Sequence, residues 1–343
     1  MAGMPVSAGS ALSTSSTPPA TKEAARMRLV VCIDDDQKSV GSISHAQTIA
    51  EALGGEVVLL HVVEAPEKGA APLDPVDWEI RRRLAGQFLA GLARKYRTPD
   101  HEIRTEVLEG RAVDQICGHA ARHPDDITVF GRSEGAEGFT AWRAARGLVD
   151  SDIGSILMVP SEAFATKPAR YSCVFVSLDG SSIAESVIPT AAAIAKAQNA
   201  RLVVCLVVPD APSFSIGLRD RELEDLHLRL AERAKKVGGE YLNRIKSMLK
   251  GSGPKTTAMM IVEGDARQSL LSAIREEGGD LLVMASHGQG MNPDLPSGHV
   301  ASFILHHAVV PVLMVRPQRR PGDAHVFSDP VSRGARPPSN AAT

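Results

Sequence analysis

The segment Ala285-Ser-His-Gly288, followed by nine residues and then Gly298-His299, is the part of this 343-residue chain best suited to chemistry. It ends the apolar run Asp280-Leu-Leu-Val-Met-Ala285, and Gly298 opens a helical pattern through Val300, Phe303, Ile304 and His307. A glycine-rich loop feeding a helix lets backbone N–H groups approach an anion closely, and the helix N-terminus adds unpaired donors and a partial positive charge. That chemistry suits phosphate. The run Cys173-Val-Phe-Val-Ser-Leu178 ends in Asp179-Gly-Ser and brings a carboxylate to the end of another strand. In open α/β sheets ligands bind beyond the carboxyl ends of strands, where strand order reverses, so both segments are candidate site elements.

The elements that must position these segments occur twice. Leu29-Val-Val-Cys-Ile-Asp34 corresponds to the run ending in Asp179, and an Ala-rich helical stretch follows each, Ser42 to Leu53 and Ile183 to Ala197. β-rich runs come next, Val57 to Val63 and Leu202 to Val208. Glu106-Val-Leu-Glu-Gly110 then matches Ile261-Val-Glu-Gly264, and Asp126-Ile-Thr-Val-Phe-Gly131 matches Asp280 to Ala285. Ile156-Leu-Met-Val-Pro160 and Val312-Leu-Met-Val-Arg316 close the two copies. Continuous β-branched runs imply strands covered on both faces, with the helical stretches as covering layers. The expected fold is therefore α/β with two tandem doubly wound domains, residues 27–160 and 170–317, joined by a linker at 161–169.

Within this frame Ser182-Ile-Ala-Glu185 reads as a capping box and Asp265-Ala-Arg-Gln268 as a similar helix start. Arg219 to Lys250 reads as a long amphipathic helix with Leu223, Leu226, Leu230, Val237, Tyr241, Ile245 and Leu249 on its apolar side, kinked or divided at Gly238-Gly239. Asp225 with Arg229 and Glu232 with Lys236 are its supporting i,i+4 pairs. Residues 1–26 and 318–343, rich in Ala, Ser, Thr, Pro, Gly and Arg, lack core-forming composition and are expected to be flexible tails.

Composition narrows the function. Lys plus Arg at 38 against Asp plus Glu at 40 leaves a net charge of -2, which gives no global field for nucleic acid or an anionic membrane. No apolar run approaches the roughly 20 residues that cross a bilayer. Cys32, Cys117, Cys173 and Cys205 contain no C-x-x-C pair and read as reduced thiols, Cys32 and Cys173 as equivalent core positions, in a cytoplasmic setting. His306 and His307 are adjacent, so on a helix they diverge by about 100° and make no metal site. No Ser-His-Asp order or H-E-x-x-H motif stands out, so no catalytic residue is assigned.

Taken together, the paired motifs resemble the universal stress protein family, whose nucleotide-binding members carry G-x-x-G, nine residues, then G-[S/T]. The resemblance covers roughly residues 27–317. It implies a five-stranded parallel sheet in each copy, in order 3-2-1-4-5 with helices on both faces, and ATP with Mg²⁺ as ligand. Asp179 would meet the adenosine portion, Val207 would offer backbone groups to adenine, and Met284 and Ala285 would line the pocket. Gly288, Gly298, His299 and Val300 would cradle the phosphates.

It also implies pairing of the two copies within one chain through their last strands, with further homodimerisation optional. Two departures stand in copy two: Ala285 replaces the first glycine and His299 the hydroxyl residue. The loop from Gln289 to Ser297 has no Lys or Arg. Copy one departs further, with three residues between Gly131 and Gly135 and Trp142 at the place corresponding to Gly298. Its Asp34-Asp35-Asp36 cluster reads as solvated loop carboxylates rather than a metal site. The reading is thus an ATP-binding regulatory module with its site in copy two and a structural copy one. A nucleotide-free scaffold acting through protein partners, or a slow ATPase, remain the alternatives.

Overall fold

The computed structural model describes residues 26–34, 38–64, 74–99, 102–132, 140–151, 153–164, 169–208, 221–251, 253–286 and 299–316. The expected tails lie outside these residues, apart from Arg26. Copy one comprises β1 (Arg28–Ile33), a 3-10 turn (Lys38–Ser42), α1 (Ile43–Leu53), β2 (Glu56–Glu64) and α2 (Pro75–Tyr96). It continues with β3 (Ile103–Gly110), α3 (Ala112–Arg122), β4 (Ile127–Arg132), α4 (Thr140–Asp150) and β5 (Ser155–Pro160). After a second 3-10 turn (Ser161–Ala163), copy two begins with β6 (Cys173–Leu178), α5 (Ser182–Glu185), α6 (Ile188–Ala197) and β7 (Arg201–Val208). It ends with α7 (Arg221–Leu249), β8 (Thr257–Glu263), α8 (Ala266–Glu276), β9 (Leu281–Ala285), α9 (His299–His307) and β10 (Val312–Val315).

The ten strands form one sheet in the order β3-β2-β1-β4-β5-β10-β9-β6-β7-β8. Each half is parallel and has the 3-2-1-4-5 order. The halves meet where β5 and β10 run antiparallel, with Leu157 opposite Leu313 and Ile156 opposite Met314. Runs such as Leu29-Val-Val are fully buried because helices cover both faces of the sheet. One face packs against α1, α2, α6 and α7, the other against α3, α4, α8 and α9.

The start of the first strand is held alike in both copies by the aspartate that precedes the fourth. Asp126 accepts from the Arg28 backbone N–H at 3.3 Å and from its guanidinium at 2.6 and 3.0 Å. Asp280 accepts from the Ser172 N–H and hydroxyl at 2.7 and 2.6 Å and from the Cys173 N–H at 3.0 Å. This register corrects the cysteine pairing. Leu29 lies opposite Ile127 as Val174 lies opposite Leu281, so Cys173 corresponds to Arg28 and Cys32 to Ser177. All four cysteines are free thiols, and burial pushes the Cys205 thiol up to about 12.

Several helix details depart from the sequence reading. Ser181, one residue before the expected cap, accepts the Ala184 N–H at 3.0 Å, and Glu185 turns outward to Arg244. The first helix of copy two is split into α5 and α6, because the chain turns at Ser186 and Val187. Asp265 caps α8 as expected, accepting from Arg267 and Gln268 N–H groups.

α7 runs unbroken through Gly238-Gly239. A Cβ at Gly238 would lie 2.9 Å from Leu206 Cδ2, so this glycine admits β7 rather than kinking the helix. The inward row is consequently Ala234, Gly238, Leu242, Ile245 and Leu249, while Leu230 and Val237 are exposed.

The linker is held against α1. The carbonyl of Ala163 can only accept, so His45 Nε2 carries the proton donated across 2.7 Å, and Nδ1 accepts from the Tyr171 hydroxyl at 2.8 Å. Thr48 Oγ1 donates to Ala169 O at 2.7 Å. Burial lowers the pKa of His45 below its ordinary 6.5.

Two predictions follow from the seam and the linker. Leu313→Ala, which empties a fully buried position at the seam, should cost about 2–5 kcal/mol in urea denaturation; a loss well under that range would mean the two halves do not share a tight core there. Between the folded pKa of His45 and 6.5, the unfolded chain binds a proton that the folded chain does not. Stability contributed by neutral His45 is therefore present above 6.5 and lost as pH falls below it. The melting temperature should drop more steeply between about pH 7.5 and pH 5.5 in the parent than in His45→Gln, and equal slopes would remove His45 from the acid response.

Candidate functional site

Strand order reverses between β9 and β6 in copy two and between β4 and β1 in copy one, so each half has a crevice at the carboxyl ends of its central strands. Because β5 and β10 are antiparallel, the two crevices open at opposite ends of the sheet.

In copy two the register places three candidate segments side by side. Val176 pairs with Val283 and Leu178 with Leu206; carried forward, Asp179 stands level with Ser286 on one side and Val207 on the other. Asp179 Oδ1 accepts from the Ser181 N–H at 2.9 Å and hydroxyl at 2.6 Å, which fixes the turn and the N-cap of α5 together.

Met284 and Ala285 are both buried but point to opposite faces, Met284 with Val207 and Val300 toward the α9 side and Ala285 toward the α6 side. Val300 lies in the first turn of α9, whose first residue is His299. Gly288 and Gly298, with His287, lie outside the described residues. The rim beyond Asp179 is charged: Arg244 of α7 pairs with Glu185 and lies 5.2 Å from the Tyr241 ring. Burial, with the Glu185 carboxylate beside it, raises the Tyr241 hydroxyl pKa. The sequence places Tyr241 only among the apolar positions of this helix and does not single out Arg244; their meeting with Glu185 depends on the packing of α7 over β7.

Copy one uses the same position differently. Asp34 accepts from the Ser39 hydroxyl at 2.8 Å, so this carboxylate shapes a turn rather than facing only water; Asp35 and Asp36 lie outside the described residues. Arg132, the last residue of β4, reaches into copy two and donates to the carbonyls of Leu305 at 2.7 Å, His306 at 2.5 Å and Ala308. Those groups end α9, so the guanidinium satisfies open carbonyls and offsets the negative end of the helix dipole. Trp142 lies inside the first turns of α4, which begins at Thr140, and its ring meets that of His306 edge-on at 5.4 Å. The residue where a glycine was sought is thus an inter-copy contact. The signal for Arg132 was a cation directly after an apolar strand, but its target lies 173 residues away.

Among the described residues there is no group of three or more His, Cys, Asp or Glu that could hold a metal ion, and no helix is long and apolar enough to cross a membrane.

This architecture defines a class: tandem doubly wound α/β domains sharing one sheet through their last strands. The sequence model of the Universal stress protein family matches residues 25–147 and 171–316, and the chain belongs to that family. A universal stress protein of Thermus aquaticus is 30% identical over 146 residues, which are 43% of this chain and 99% of the relative. A solved universal stress protein from Archaeoglobus fulgidus superimposes with a TM-score of 0.54 at 15% identity, over 84% of this chain and 96% of its own. A functionally unknown protein from Pseudomonas aeruginosa gives 0.54 at 16% identity, over 85% and 93%. These two structures support the fold over both copies.

Arg132→Ala should destabilise the protein by about 1–3 kcal/mol, the usual effect of losing hydrogen bonds to a charged group, and Arg132→Lys should recover part of it. Urea melts of the parent and both variants measure this. An alanine variant as stable as the parent would show that the α9 carbonyls are satisfied without the guanidinium.

Proposed function

We propose that the chain is an ATP-binding regulatory module of the universal stress family, with one nucleotide site per chain in copy two. The observation that carries this reading is the convergence, at the β6/β9 strand reversal, of Asp179, the end of β9 and the helix that follows the glycine-rich loop. Asp179 meets the adenosine portion and the Val207 backbone faces adenine, with Met284 and Ala285 beside it. Gly288, Gly298, His299 and Val300 supply the phosphate cradle, whose donors are backbone N–H groups at the start of α9. Mg²⁺ would accompany the bound nucleotide and neutralise part of its phosphate charge.

Copy one is structural, since Arg132 and Trp142, which flank its crevice, are engaged with α9. The functional units are residues 27–160 and 170–317, paired within the chain, and self-association of whole chains is optional. The module binds and signals in the cytoplasm, and the Ser181 hydroxyl, which donates to Asp179 Oδ1 at 2.6 Å and accepts the Ala184 N–H, serves the turn and the α5 N-cap.

Calorimetry with ATP tests the assignment. The parent should bind one equivalent. Gly298→Val should abolish binding, because a β-branched side chain fills the phosphate space. Asp179→Ala should weaken it by about 1–3 kcal/mol, leaving a ligand donor unpaired, and Trp142→Gly should change little. Two equivalents in the parent, or a Gly298→Val variant that binds as well as the parent, would contradict the reading. If mass spectrometry of molecules released from the purified protein found no nucleotide and calorimetry no binding, the scaffold alternative would take its place. Steady-state phosphate release would identify a slow ATPase.

A further inference from the structure

The carboxyl end of β4 in copy one is packed by a segment that belongs to neither domain. Phe164, in the linker just after β5, lies against Gly41 of the 3-10 turn and against Gly131 of β4. A Cβ on Gly41 would fall closer than 3.0 Å to Phe164 Cβ and Cγ. One on Gly131 would lie 2.7 Å from Ser39 Cα and 3.1 Å from Phe164 Cζ. The phenyl ring is therefore seated between two glycines, on the α1 side of the point where strand order reverses.

Its backbone is fixed there as well. Phe164 N donates to Ser161 O at 3.1 Å, and His45 and Thr48 of α1 hold Ala163, Ala169 and Tyr171 on either side.

The internal repeat shows that this seat is particular to copy one. α1 and α6 begin with Ile43 and Ile188, each nine residues beyond the strand-end aspartates Asp34 and Asp179, so Gly41 corresponds to Ser186. The equivalent register of β4 and β9 sets Gly131 against Ala285. Both copy-two residues carry the Cβ that a ring seated this way would strike.

We infer that the crevice of copy one is a binding site for a planar aromatic ring, and that its ligand is the chain's own Phe164. Seated there, the ring closes copy one to other ligands from the α1 side. It also latches the linker, so that β6 starts from a fixed point beside α1. Emptying the seat leaves a ring-sized gap walled by Gly41, Gly131 and the Ser39 Cα and Cβ atoms, which a small aromatic molecule can enter.

The full-length protein, without nucleotide, tests this with indole as probe. Phe164→Ala should melt below the parent, and saturating indole should raise its melting temperature by about 2 °C or more beyond any effect on the parent. Should Phe164→Ala fail to fold, Phe164→Leu leaves a smaller gap and serves the same comparison. Gly41→Ala keeps the ring but blocks its seat, so hydrogen exchange at residues 161–164 and 169–171 should quicken by about tenfold or more while the β1 and β4 amides stay protected. In the double variant Gly41→Ala/Phe164→Ala the melting-temperature losses should be less than additive, because the ring that clashes is gone. An indole response equal to the parent's, unchanged linker exchange in Gly41→Ala, or strictly additive losses would each overturn the assignment. None of these readouts depends on whether copy two binds ATP.

Discussion

The antiparallel pairing of β5 with β10 is the contact on which the rest of the molecule depends. Each parallel half ends in an apolar strand without a charge, Ile156 to Val159 and Val312 to Val315, and such an edge left open is a template for association. Joining the two edges buries Leu157 and Leu313 completely and leaves β3 and β8 as the outer strands. β3 suits that place, carrying exposed Arg104, Thr105 and Glu109. The same pairing fixes the direction of everything else. The two crevices must open at opposite ends of the sheet, and helices from different copies must meet across the seam, α1 with α6 on one face and α4 with α9 on the other.

On this shared scaffold the copies have diverged where the strands end, and far less within them. The aspartates that tie the first strand, Asp126 and Asp280, do the same work with different donors. Beyond the strands the similarity stops. Copy one commits Arg132 to the end of α9, Trp142 to His306 and its Gly41/Gly131 seat to Phe164, so that its strand-reversal point is filled by contacts internal to the chain. Copy two keeps Asp179 exposed, its carboxylate accepting from the Ser181 N–H and hydroxyl. Inward-facing strand positions tolerate little change in volume, whereas the loops that follow them can exchange one partner for another at small cost to the core.

This difference explains what could be read from the sequence. The inner strands were visible because parallel strands buried on both faces are unbroken apolar runs, while the outer β3 and β8 showed through the matching segments that end in Gly110 and Gly264; the order within each copy follows from the family resemblance. α2 was passed over although Asp74-Pro75 marks its start, the Asp74 carboxylate accepting the Val76 N–H at 2.9 Å. Its outward Val76, Ile80 and Leu84 blur the amphipathic contrast by which such a helix is recognised. In α7 the error had the opposite form. Leu230 and Val237 were counted toward the core and Gly238 as a break, because a close helix–strand approach needs a missing side chain that no periodicity registers. The seatings of Arg132 and Phe164 were beyond reach for a related reason. Each joins residues from separate copies or from the linker, and a single sequence carries no spacing rule for such pairs.

α9 shows how far the two ends of the sheet remain physically joined. It has nine residues, about 13 Å of helix at the usual rise. Its first turn stands at the carboxyl end of β9, beside the copy-two crevice, and its last carbonyls lie in the grip of Arg132 at the carboxyl end of β4. A helix this short moves as a rigid rod, so holding its C-terminus also sets where its N-terminal N–H groups point. Anion binding by backbone donors is sensitive to such placement, since hydrogen bonds weaken steeply with misalignment. Arg132 of copy one thus braces, from its far end, the helix whose first turn borders the crevice of copy two.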